Sequence, residues 1–223
     1  MFQIVSLIVF LAVLGGIGLH VLLFPCGSGR RFTCGALGRK AVHLLTLLFL
    51  PQSLTWVGRL RKLAFLLGLL SFVVLLLTGF LPPLLGGRLE GYWLMVHATF
   101  APIFIACVAF IVVTAADQYR FVKRDSVHLA ALYKNRKTRQ ACWLTDSEAS
   151  AKAGFWLLAA LSLPMTLTMV LSMTTLFGTD GQEWLFETHR WSALAFSVFT
   201  ISMLYVLIRH GVRKDADIQS EDV

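Results

Sequence analysis

The sequence predicts an all-α integral membrane protein: a bundle of six transmembrane helices, alternatively five, built from repeated helical hairpins. Three observations predict it. Of 223 residues, 57% are hydrophobic and 14% charged, with a mean hydropathy of +0.73. A soluble domain of this size cannot hide that much apolar surface. The uncharged runs also have the length of about 20 residues that a helix needs to cross a bilayer. Each must satisfy its own backbone hydrogen bonds in lipid, which a helix does. Finally, the basic residues gather in alternate loops, as orientation in a membrane demands.

Taken in order, the first uncharged run is Met1–Gly29, predicting a span over about 3–24. It is read as a span because Met1-Phe2-Gln3 carries no basic residue and "LLFPCG" lacks small residues before Cys26, unlike a signal peptide. The second run, "AVHLLTLLFLPQSLTWVG" over 41–58, is at the short end for a span. Leu44, Leu45, Leu47, Leu48, Phe49 and Leu50 make it apolar all round, which suits a spanning helix better than an interfacial one. Further runs predict spans over about 63–85, 92–116, 154–177 and 189–209. Residues 1–214 then form a single membrane domain, ending in a short acidic tail over 215–223. The loop over 117–152 is the one sizeable polar segment and is too short to be a domain.

Charge tests the count. That loop carries eight Lys and Arg against four acids, so it is expected on the cytoplasmic side, with Arg59, Arg61, Lys62 and the tail from Arg209. Arg30, Arg31, Arg39 and Lys40 fall outside in a six-helix chain and inside in a five-helix one. The net charge of +8 expresses this orientation and implies no nucleic acid. Two stretches also resemble each other: "KLAFLLGLL" from Lys62 leads through a short loop to "WLMVH" at His97, and "KAGFWLLAALS" from Lys152 leads to "WLFETH" at His189. The lysines are 90 residues apart and the histidines 92. His43, in "RKAVHLL", would serve a first hairpin in the same way.

A histidine inside an apolar helix is costly enough to be a functional candidate. His20, His43, His97 and His189 all stand in or at the ends of apolar runs. The chemistry most often asked of imidazoles in helical bundles is axial ligation of haem iron, which takes two histidines at one depth. His97 and His189 share a depth in either count, as axial ligands of one low-spin haem b in the outer half of the bilayer; His20 and His43 are candidates for a second haem. Trp93, Phe100, Phe104, Trp191 and Phe196 are available as packing. The competing reading is plain: a membrane histidine bonded to a nearby carbonyl or threonine is ordinary. No CxxCH points to covalent haem, and Cys26, Cys34, Cys107 and Cys142 lack the spacing of a zinc or iron–sulfur site. Pro82-Pro83 and Gly86-Gly87 read as turn punctuation, and Met165, Met169 and Met173 as a packing stripe.

"KLAFLLGLLSFVVLLLTGF" followed by "WLMVHATFAPIF" resembles the membrane b-type cytochrome subunits of respiratory complexes. The likeness is to the gamma subunits of formate dehydrogenase and nickel–iron hydrogenase, which share an "LTG" helix end before a histidine-bearing helix. In length and span count the chain is similar to the nitrate reductase gamma subunit and to cytochrome b subunits of multihaem-cytochrome complexes. The likeness covers 62–110 best. It carries over His97 alone, because Ile111 stands where the formate dehydrogenase type would place a second histidine; His189 follows by the internal repeat. The resemblance implies a bacterial or archaeal cytoplasmic membrane protein that is not itself catalytic. It would anchor an iron–sulfur or multihaem cytochrome c subunit and pass electrons between that partner and a quinone through one or two haems b. Arg30, Arg31, Arg39 and Lys40 would pair with haem propionates or an acidic partner, the competing reading being ordinary solvated loop charge. No quinone site is read from the sequence; Arg88, Glu90 and Tyr92, polar groups close to His97, are the first to test for one. A haem-free membrane scaffold is the alternative. A transporter is disfavoured, because apart from Pro51, Pro102 and Pro164 the mid-spans hold no charged or helix-breaking residue.

Overall fold

The computed structural model describes residues 1–23, 55–122 and 148–221, the side chains of the last segment over 151–208. Among the described residues there are five helices and no strand: α1 (Phe2–Leu23), α2 (Trp56–Leu84), α3 (Gly91–Ala115), α4 (Glu148–Ser172) and α5 (Thr179–Glu221). All five are long and apolar enough to cross a membrane, α4 from Ala151 and α5 as far as Ile208. The chain is an integral membrane protein, all-helical over the described residues.

Two element ends differ from the sequence expectation. Helix α2 starts at Trp56, seven residues before 63, with Thr55 as its N-cap accepting from the Gly58 N–H at 3.3 Å. Trp56, Val57 and Gly58, expected to end a second span, are the first turn of α2 instead. The rest of that run, 41–54, lies outside the described residues. Helix α5 starts at Thr179, ten residues before 189, with Asp180 in its first turn where the helix dipole favours an acid.

The chain divides into two compact units, Met1–Leu11 with His43–Gln118 and Ala12–Val42 with Tyr119–Val223. In the first, α2 and α3 pack as a hairpin. Its turn is a Schellman motif: Gly87 N–H reaches the Pro82 carbonyl at 2.9 Å and Gly86 N–H the Pro83 carbonyl at 3.1 Å. Gly86 takes φ +83°, which the motif requires at that position. The helices approach closely at Gly68, where a Cβ would lie 3.3 Å from that of Cys107, and Phe72 packs on Phe104 one turn on. Arg61, at the base of α2, ties the end of α3 by donating to the Thr114 carbonyl at 2.5 Å and to Gln118 Oε1 at 2.6 Å. Phe80, near the end of α2, lies against Phe2 and Phe10 at the start of α1.

In the second unit α4 and α5 form the corresponding hairpin. Gln182 Nε2 ties its turn to the Thr174 carbonyl at 3.1 Å. Met203 lies directly on Gly154. Near the end of α1, His20 reaches Tyr205 on α5.

The interior of each unit inverts the logic of a soluble protein. Ser71, Thr78, Ser162 and Thr168 are buried, while Leu70, Leu163 and Leu167 are exposed. In lipid there is no gain from burying leucine, whereas small side chains let helices approach. Thr78, Ser162 and Thr168 donate to carbonyls of their own helix, to Val74, Ala159 and Pro164 respectively, so their hydroxyls cost little when buried.

Candidate functional site

Three of the four candidate histidines are described; His43 lies outside the described residues. His97 belongs to the first unit, and His20 and His189 belong to the second.

His97 stands two turns into α3, its ring edge pressed against the end of α2. Its Nδ1 is 2.9 Å from Thr78 Oγ1, and its Cε1 lies where a side chain at Gly79 would begin, 3.1 Å from the position of a Cβ. The tautomer follows from proton counting. Thr78 has one hydroxyl proton, and its oxygen is 2.8 Å from the Val74 carbonyl, which can only accept. That proton belongs to the Val74 contact, so Thr78 Oγ1 accepts from His97 and Nδ1 carries the ring proton. The lone pair is then on Nε2.

His189 reaches the same state by a different acceptor. Its Nδ1 is 3.0 Å from the Met165 carbonyl on α4, so Nδ1–H donates and Nε2 holds the lone pair. Thr168, buried one turn further along α4, donates to the Pro164 carbonyl at 2.7 Å and lies 3.1 Å from that of Met165. Arg190 next to it pairs with Glu187 at 2.6 Å on the helix surface.

His20 makes a third arrangement, Nδ1 to the Tyr205 hydroxyl at 2.6 Å with the rings edge to face. Either partner can donate. Tyr205 is 16 residues beyond His189 on one continuous helix, a rise of about 24 Å. His20 and His189 therefore lie at opposite ends of the same unit, and the structure does not bring them together.

The ordinary reading of each histidine thus holds for one ring nitrogen: a threonine at His97, a carbonyl at His189. It does not compete with ligation, because a metal-bound histidine almost always donates its other N–H to such an acceptor. Nδ1–H with a lone pair on Nε2 is the state that haem ligation requires, so the residues present fit that use. Trp93, one turn before His97 on the same face, is 45% exposed and free to cover a planar group. Phe104 and Phe196 are buried, Phe104 against Phe72, and belong to the packing of their units. Arg88, Glu90 and Tyr92 are exposed around the α2–α3 turn.

From the sequence, Thr78, Gly79, Met165 and Tyr205 have no role at the histidines, Met165 counting only as packing, although these groups hold the rings. Only Thr78 and Gly79 left a local signal, as the last two letters of "LTG". Among the described residues no three His, Cys, Asp or Glu side chains gather to hold a bare metal ion. No protein-family model, curated protein or solved structure matches the chain.

Proposed function

We propose that this chain is a haem b-carrying membrane subunit of a respiratory complex. It anchors a soluble iron–sulfur or multihaem cytochrome c partner and passes electrons between that partner and a membrane quinone. His97 and His189 are the axial ligands in this reading. One observation carries it: each stands in the second helix of a hairpin, with Nδ1–H bonded to the first helix and the lone pair on Nε2. A haem-free scaffold accounts for the Nδ1 bonds but gives the Nε2 lone pair of His189 no role.

Haem, when bound, supplies the one-electron chemistry. The protein's own residues hold and tune. Thr78 and the Met165 carbonyl fix ring orientation and make each imidazole a stronger donor. The apolar helices keep water away. The spacing of 90 residues from Lys62 to Lys152 recurs at Thr78 and Thr168, and that of 92 from His97 to His189 recurs at Phe104 and Phe196. All four of those last residues are buried, which supports reading the two hairpins as repeats.

We further infer five crossings. Phe80, at the end of α2, touches the start of α1, so two helices confined to one slab run antiparallel. His20, at the end of α1, touches Tyr205 near the end of the α5 span, so those two run parallel. Both relations fit α1 and α5 as first and fifth crossings.

The test is a reduced-minus-oxidised spectrum of the purified chain, with His97→Ala and His189→Ala beside it. The wild type should show the sharp alpha band of low-spin bis-histidine haem, and each variant should lose it. A wild type without haem, or both variants with full haem content, overturns the reading.

A further inference from the structure

We propose that Thr78 and Gly79 are positioning residues that set the donor strength of His97, an inference resting on the haem reading above. Three features place them. Thr78 is 4% exposed, so its hydroxyl meets His97 where water does not compete. Its own proton is given to the Val74 carbonyl, which leaves the oxygen only as an acceptor and enriches it in electron density. Gly79 supplies the space: a Cβ there would stand 3.1 Å from His97 Cε1 and 3.6 Å from Nδ1, closer than the ring edge tolerates without moving.

Threonine aims the ring and glycine lets it in. Together they fix Nδ1–H, and therefore a lone pair on Nε2, before any ligand arrives. His189 is held by a backbone carbonyl instead, which no side-chain substitution removes. The donor strength of His97 alone is thus adjustable by mutation at its acceptor. Donation from Nδ1–H gives the imidazole partial anionic character, favouring ferric over ferrous iron and lowering the midpoint potential. Loss of the acceptor therefore raises the potential.

The experiment compares wild type, Thr78→Val, Thr78→Ser and Gly79→Ala as full chains in detergent. The readouts are haem affinity, redox titration and nitrogen NMR of ¹⁵N-labelled histidine. Thr78→Val keeps the shape and removes the acceptor: it should weaken haem binding roughly 10–100-fold and raise the midpoint potential. Thr78→Ser restores both, and Gly79→Ala weakens binding with the hydroxyl still in place. If Thr78→Val retains wild-type affinity and potential, or if Thr78→Ser loses as much as Thr78→Val, the proposal is overturned while the haem reading stands. If the wild type carries no haem but its His97 signal shows Nδ1–H, and Thr78→Val shifts that proton to Nε2, the positioning stands and the haem reading falls. A haem-free wild type whose His97 proton sits on Nε2 overturns both.

Discussion

Gly154→Ala tests the packing of the α4–α5 hairpin where Met203 lies against Gly154. A Cβ at residue 154 would overlap Met203 Cε and lie 2.9 Å from Sδ and 3.9 Å from Cγ. Ordinary carbon contact is about 3.5–4.0 Å, so Cε must retreat furthest and Sδ by somewhat less, while Cγ stays. The displacement is confined to the last two torsions of a flexible, half-buried side chain. Driving those torsions off their minima costs about 0.5–1.5 kcal/mol each, giving a loss of about 1–3 kcal/mol, the range for overpacking. Met203→Ala removes the obstructing atoms and leaves a gap that the methyl added by Gly154→Ala partly fills. The double variant should therefore be no less stable than Met203→Ala alone, a coupling of about 1–3 kcal/mol in its favour. SDS titration of the micellar protein, followed by far-UV circular dichroism, measures all four states. Costs that add to within about 0.5 kcal/mol would show that the two side chains do not meet, and would refute the packing.

Two further outcomes are expected. Ser71 is fully buried and its hydroxyl has no hydrogen-bond partner among the described residues, so Ser71→Ala should stabilise the protein by about 1 kcal/mol in the same titration; a loss of that size would reveal a partner for the hydroxyl. Five crossings would put Cys34 on the inner side, so in a variant keeping only that cysteine an impermeant thiol reagent should label it after lysis and not in intact cells. Labelling of intact cells would restore the sixth crossing.

What the sequence revealed was local. Pro82-Pro83 and Gly86-Gly87 announced a turn because a Schellman motif is made within six residues and depends on a residue that tolerates positive φ. Spans were legible because lipid exposure is written in composition. The start of α2 was not, because Arg59, Arg61 and Lys62 end the uncharged run although the helix continues through them. Hydropathy measures the solvent a helix meets, whereas Thr55 decides where this one begins. The histidines were visible as expensive residues, but their partners were not. Thr78, Met165 and Tyr205 come from 19, 24 and 185 residues away, and no local pattern encodes which face of a uniformly apolar helix turns toward them.

The count of crossings decides what the histidines can do together. Arg30, Arg31, Arg39 and Lys40 argued for an inner loop, and the apolar run over 41–58 argued for a span that would carry them outside. In the proposed five-crossing reading the contacts of α1 agree with the charges, although they come from side-chain packing, a source independent of loop charge. With Trp56, Val57 and Gly58 taken into α2, the run that competed with the charges is also shorter than its hydropathy suggested. The consequence falls on His20. In a six-crossing chain it would join His97 and His189 in the outer half of the bilayer. With five it would sit at the inner end of α1, about 24 Å of helix rise from His189. A second haem at that depth would place two redox centres in series across the membrane rather than side by side. Electron transfer between them would move charge through the membrane potential, at about 2.3 kcal/mol per electron for each 100 mV.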